Sequence, residues 1–190
     1  MKKHLSTVLF SCLLLCFSAC APTVIIETKT PVKSSLKSPQ MVVVYDGEQS
    51  LDWVVSFEER IARALPGHLN AISMRKVLVD PHATVDEHVK SLQSKGMTTV
   101  LLVKLVKKPQ DMILSNDEDG GSIRGRQHLD ESTTKTMEDA VVLRAELYDL
   151  ATRRLMYNCL SKTSQKHPTL ATGSSFGKAI GKNLKKEGLL

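Results

Sequence analysis

The sequence predicts an α/β domain with a mixed sheet: β-α-β-α-β, then antiparallel β-strands and a C-terminal helix, in two or three layers. Three observations carry that expectation. Residues 41–45 and the first half of 98–106 are continuous apolar, β-branched runs, as in strands buried on both faces. Between them, and again near the end of the chain, apolar residues recur at the four-residue spacing of amphipathic helices. From residue 139 the pattern switches to period two, which marks a strand with two unlike faces.

The first strand, Met-Val-Val-Val-Tyr at 41–45, ends at Asp46-Gly47, a turn signal. Ser50 occupies an N-cap position, and Trp53, Phe57, Ile61 and Leu65 form one helical stripe, with Glu58 and Glu59 expected on the outer side. Pro66-Gly67 stops that helix, and a second strand is expected over 71–79. Thr84 and Glu87 have capping-box spacing. They open a helix with Val85, Val89 and Leu92 on one face, closed by Gly96. The strand at 98–106 completes two strand–helix–strand crossings, which implies a parallel three-strand core with right-handed connections.

Residues 139–150 then alternate, with Val141, Leu143, Ala145 and Leu147 on one side and Val142, Arg144, Glu146 and Tyr148 on a half-solvated other. A turn at 151–154 leads to 155–163, so this pair reads as a hairpin. The closing helix is expected over 174–186, striped by Phe176, Ile180 and Leu184 opposite Lys178, Lys182 and Lys185. A single domain over 40–190 follows, interrupted by an irregular stretch at about 107–138. A domain of about 150 residues buries roughly 70% of its unfolded surface, enough for a core without staples.

Composition sets the outer bounds. The 190 residues are 24% charged, 42% hydrophobic and 4% aromatic, which excludes a disordered chain, a collagen-like repeat and a multi-span membrane protein. Lys plus Arg (26) exceeds Asp plus Glu (20), giving +6. The surplus is diffuse, without aromatic interleaving or a nucleic-acid module, so no nucleic-acid partner is expected.

The first twenty residues state an address. Met1-Lys2-Lys3 is a short basic start, and residues 5–18 are uncharged and mostly apolar. That run is too short to span a bilayer, which needs roughly 20 residues, and it fits the apolar region of a secretory signal peptide. Cleavage after Ala21 is blocked by Pro22, so the cut falls before Cys20. Phe17-Ser18-Ala19-Cys20 resembles the lipobox of bacterial lipoproteins, with Phe17 in place of the usual Leu. The resemblance implies that residues 1–19 are a lipoprotein signal peptide and that Cys20 is acylated, anchoring the chain in a lipid bilayer. It also implies the outer membrane, since Ala21 is not the Asp that retains such proteins at the inner membrane.

Removing residues 1–19 takes away Lys2 and Lys3, leaving 24 basic against 20 acidic residues, a mature charge of +4. Cys12 and Cys16 leave with the signal peptide, so Cys159 is the lone thiol, and a small buried hydrophobe in a strand is its favoured reading. Residues 21–39, rich in Ser, Thr, Lys and Pro, read together with Cys20 as a flexible tether. Val24-Ile25-Ile26 can pair as an edge strand.

Candidate chemistry is sparse. In the acidic segment, Ser115, Asp117, Asp119 and Gly120 fit positions 1, 3, 5 and 6 of an EF-hand loop, but position 12 is Arg126 where a Glu is required. A solvated turn is favoured. Asp80, His82, Asp86 and His88 form a local set of possible metal ligands, but Asp86 and Glu87 are already explained by the helix start. Gly173-Ser174-Ser175-Phe176-Gly177 matches the G-x-S-x-G elbow in letters. No strand precedes it and no histidine follows Ser175 to complete a triad, which rejects it. Gly173, Gly177 and Gly181 instead form a small-residue stripe for close helix packing, within the protein rather than with a partner.

The element order, the lipobox and the hairpin turn at Leu147-Tyr148-Asp149 resemble a group of small envelope lipoproteins. That group includes the lipoprotein activator of a penicillin-binding protein, the curli secretion lipoprotein and the amino-terminal domain of the Tol system's periplasmic protein. The resemblance is one of architecture over 41–190 and transfers no site residue. It implies a non-catalytic protein-interaction or assembly module facing the periplasm, with an envelope protein as partner. Arg144, Glu146 and Tyr148 are the candidate interface, and neither catalytic residues nor a cofactor are implied. The alternatives are a metal-assisted cell-wall hydrolase using His82, Asp86 and His88, and a structural subunit of a secretion or surface assembly.

Overall fold

The computed structural model describes residues 23–31, 36, 39–77, 83–106, 140–165 and 167–190. The signal segment, Cys20, His82, the acidic segment with its EF-hand alignment, and the 107–138 stretch all lie outside the described residues. Among the described residues, six strands and three α-helices follow in chain order: β1 (Thr23–Lys29), β2 (Met41–Asp46), α1 (Leu51–Ala64), β3 (Ile72–Ser73), α2 (Val85–Ser94), β4 (Thr99–Leu105), β5 (Val141–Asp149), β6 (Leu155–Thr163) and α3 (Leu170–Lys186). They form an α/β fold around one mixed sheet of order β1-β6-β5-β4-β2-β3. β4, β2 and β3 run parallel, and β4, β5, β6 and β1 pair antiparallel.

β2 lies between β3 and β4, so the crossover from β2 to β3 and the crossover from β3 back past β2 to β4 run in opposite directions across the sheet. Right-handed connections then place α1 and α2 on opposite faces. α1 and α3 cover one face, where Met41, Val43, Leu101, Val103, Leu143, Leu147 and Tyr157 meet Phe57, Ile61, Phe176, Ile180 and Leu184. α2 covers part of the other, packing Leu92 and Val89 over Val42, Val77 and Leu150.

Both α2 and α3 end as their glycines require. Gly96 has φ +79°, with Met97 N–H donating to Leu92 O and Gly96 N–H to Gln93 O, the Schellman pattern. Gly188 (φ +74°) repeats it, with Leu189 N–H on Leu184 O, and Leu189 enters the core. The Thr84–Glu87 capping box forms as expected, its Thr84 N–H donating to Glu87 Oε2 at 2.7 Å. α3 begins four residues before the expected start, because Thr169 caps it through a reciprocal pair with Thr172. The glycine stripe on α3 packs within the molecule. A Cβ on Gly177 would stand 2.6 Å from Ile61 O, and one on Gly181 would stand 2.6 Å from Pro66 Cδ.

Three expectations are corrected. The strand expected over 71–79 shrinks to Ile72–Ser73, because a 3-10 turn at Met74–Lys76 takes the chain out of the sheet. Glu58 is not on the outer side of α1 but fully buried, and it replaces the lost strand pairing. Its Oε1 accepts the Tyr45 amide at 2.9 Å, and its Oε2 accepts Ser73 Oγ–H at 2.6 Å. A buried carboxylate is tolerated there because backbone and hydroxyl donors meet both oxygens. Finally, the stretch expected as a tether contributes β1, an edge strand on β6 with a bulge between Ile25 and Glu27. Its threonines tie it to α3: Thr23 Oγ1 bonds Ser175 Oγ at 2.8 Å, and Thr28 Oγ1 donates to Asn183 Oδ1 at 3.0 Å. Ser and Thr signal a loop by composition, but here they are the polar rim of a strand whose Ile25 packs against the core.

Candidate functional site

The sequence-predicted interface residues come together on the sheet face opposite α1 and α3. Period-two alternation along β5 turns Arg144, Glu146 and Tyr148 to that side, and the β4–β5 register sets Lys104 directly opposite Arg144. Two cations facing each other across a pair of strands repel. Glu146, the next residue on the same face, resolves this: Lys104 Nζ lies 3.1 Å from its Oε2 and Arg144 Nη1 lies 4.0 Å from its Oε1. Tyr148 Oη–H also donates to Glu146 Oε2, at 3.1 Å. One carboxylate thus gathers two cations and a phenol.

The expected exposure is corrected here. Glu146 is buried, at 8% of its free surface, and the Arg144 side chain is 16% exposed. Compensating charge explains it, because a carboxylate with two cations and a hydroxyl around it loses less on leaving water. Alternation in the sequence identified the face, but not that its charges pair across strands. Lys104, whose side chain keeps 38% exposure, and half-exposed Tyr148 are the parts of the cluster open to solvent. Asn158, paired in register with Glu146, is buried, and its Oδ1 has no hydrogen-bond partner among the described residues.

Among the described residues the other candidates do not assemble into a catalytic centre. Asp86 is engaged by Arg153, Nη2 to Oδ1 at 2.7 Å, and His88 follows it on α2. Among the described residues no three His, Cys, Asp or Glu side chains gather as metal ligands would, and His82 lies outside those residues. Ser175 lies within α3, bonded to Thr23 Oγ1 and donating to Thr172 O, so no nucleophile elbow forms around it. Cys159 is fully buried on β6, where burial pushes its thiol up to about 12. Its neighbour Tyr157 donates to Asn183 Oδ1 at 2.6 Å, and burial holds that phenol far above its ordinary range.

No protein-family model and no curated protein matches the chain. Among solved structures it is similar to a PelC dodecamer from Paraburkholderia phytofirmans, at 13% identity and TM-score 0.47, over 88% of this chain and 99% of that one. A single-substitution variant of the PelC dodecamer from the same organism aligns at 13% identity and TM-score 0.44, over 82% and 95%. TolB from Acinetobacter baumannii aligns at 12% identity and TM-score 0.40, over 88% of this chain but 31% of TolB. At that distance no activity passes from those proteins to this chain.

Among the described residues no helix is long and apolar enough to cross a membrane. Two polar features escaped the sequence reading: Glu58 as a pin between α1 and the sheet, and the Thr28–Asn183–Tyr157 bridge. Glu58 carried a signal, since it directly follows Phe57 and neighbours the apolar stripe. The bridge carried none, because Thr28 and Asn183 are 155 positions apart.

Proposed function

We propose that this chain is a lipid-anchored bacterial envelope protein, held at the outer membrane through Cys20, whose α/β domain docks to another envelope protein without catalysis. The observation that carries this reading is the amino-terminal run: a basic start, an apolar stretch of signal-peptide length, then Phe17-Ser18-Ala19-Cys20. Several acyl chains on Cys20 give lasting attachment where a single chain gives marginal binding. Confinement at the membrane raises the effective concentration of a partner there, so a modest interface suffices.

The chemistry of the domain supports a docking role. Its distinctive polar groups are committed to structure: Glu58 to the end of β2, Glu146 to Lys104 and Arg144, Cys159 to the core. The rim of the charged cluster, Lys104 and Tyr148, is the surface to test first. Native membranes carrying the wild-type chain should yield an acyl mass on Cys20, and cross-linking with mass spectrometry should recover one envelope partner. Lys104→Ala with Tyr148→Ala should weaken that cross-link without releasing the protein from the membrane. Wild-type protein found wholly soluble, with an unmodified Cys20, would sink the anchor. An unchanged cross-link in the double variant would move the interface elsewhere.

A further inference from the structure

Four large apolar side chains stand exposed among the described residues, and three of them, Val24 (59%), Ile26 (47%) and Leu51 (61%), belong to one end of the sheet. The fourth, Val85, opens α2. The register defines that end. Thr23, the first residue of β1, pairs with Thr163 at the close of β6, which pairs in turn with Val141 at the start of β5. Strands β2 and β4, parallel to each other, finish at the same end, with Asp46 level with Lys104. Leu51 follows the end of β2 by five residues as the first residue of α1, and half-buried Trp53 lies beside it, stacked on Phe57 at 4.6 Å.

Chain length then fixes how far this end can stand from an acylated Cys20. Ala21 and Pro22 alone separate Cys20 from Thr23, three residue steps, so the reach is about 10 Å. The headgroup zone on each side of the hydrocarbon core is itself roughly 5–8 Å deep. A flexible tether of nineteen residues would leave the domain free to turn, but β1 removes that freedom from the third residue past the anchor. Singly exposed apolar residues are ordinary on a protein surface. Their gathering at the end that such an anchor must hold at the lipid is what gives them a role.

We propose that this end of the domain rests on the bilayer surface, with Val24, Ile26 and Leu51 entering the boundary between headgroups and acyl chains. The proposal rests on Cys20 being acylated. Trp53 suits such a depth, since its ring is apolar and its N–H is polar. Lys162, paired in register with Val24, presents a cation to the headgroups.

The test uses the full acylated chain in vesicles of phosphatidylethanolamine and phosphatidylglycerol. Single cysteines are introduced by Val24→Cys, Leu51→Cys and, in the β5–β6 turn at the opposite end, Ala151→Cys, and each is labelled with an environment-sensitive fluorophore. Cys159 stays unlabelled in the folded protein, because it is buried with its thiol pushed up to about 12. Labels at 24 and 51 should shift to the blue and be quenched several-fold more strongly by bromine-bearing lipids than the label at 151. Equal quenching at all three sites, in protein that floats with the vesicles, overturns the orientation and leaves the anchor standing. Failure to float, with no acyl mass on Cys20, overturns anchor and orientation together.

Discussion

Against α1 and α3 the sheet buries Met41, Val43, Leu101, Val103 and Leu143, whereas the opposite side of β4 and β5 holds Lys104, Arg144, Glu146 and Tyr148. Glu146 is buried on its side as the apolar residues are on theirs, yet the means differ. The helical face relies on shape: Gly173 and Gly177 bring α3 up to the backbone of α1, and Gly181 admits Pro66 just beyond that helix. The other face relies on charge balance around one carboxylate. Shape tolerates no added volume, and charge balance tolerates no missing partner. Each face therefore predicts its own most damaging substitution.

The largest effect is expected on the helical face. A Cβ at Gly177 would meet Ile61 O at 2.6 Å and Ala64 Cβ at 2.9 Å, and a backbone oxygen inside a helix cannot swing aside. Gly177→Val should therefore cost about 3 kcal/mol by overpacking, read as a lowered denaturation midpoint. Gly177→Ala should cost less, because a better helix former recovers about 1 kcal/mol. A neutral Gly177→Val would mean that α1 and α3 are not held at this distance.

On the charged face, Glu146→Ala removes the one anion between Lys104 and Arg144, which face each other across β4 and β5. Breaking a fully buried pair costs roughly 3–5 kcal/mol. Lys104 keeps 38% of its side-chain exposure, which screens part of that. A loss of about 2 kcal/mol is expected, with Glu146→Gln between wild type and Ala because the amide oxygen still accepts from Tyr148. High salt should narrow the gap between variant and wild type. A gap that ignores salt would show that packing, rather than charge, holds this face.

The two faces were also unequally legible in the sequence. Helical stripes such as Phe57–Ile61 and Phe176–Ile180–Leu184 revealed the apolar face, and the small-residue spacing of Gly173, Gly177 and Gly181 revealed how closely α3 packs. Period two in β5 revealed that Arg144, Glu146 and Tyr148 share a side. Their burial was not legible, since it depends on Lys104, 42 positions from Glu146 and brought alongside by strand register. β1 was half legible: Val24-Ile25-Ile26 has strand character, but its pairing with β6 reaches across most of the chain and leaves no local trace. Glu58 was misplaced because its charge points to water while its helical position, four after Val54 and three before Ile61, lies on the buried side, and the shortness of β3 that creates its binding partners cannot be counted from composition.

Glu58 joins the two kinds of holding in one residue and gives the smallest, most diagnostic effect. It is a charge-bearing group on the shape-governed face, and its carboxyl is held above the ordinary value of 4.5, chiefly by burial, against the opposing pull of donors from Ser73, Tyr45 and Arg75. A carboxyl whose folded value is raised binds its proton more tightly in the fold than in the unfolded chain. Its contribution to stability is therefore complete below about 4.5 and declines as pH rises through the folded value. Glu58→Gln keeps the shape and one acceptor, so it should cost about 1 kcal/mol at acid pH. Because the amide does not ionise, that cost should shrink as the pH is raised toward neutrality. Denaturation midpoints of the two proteins, compared from about pH 4 to about pH 8, check the sign. A cost that grows with pH would mean that the carboxylate form is the one the site prefers, and that the three donors outweigh burial.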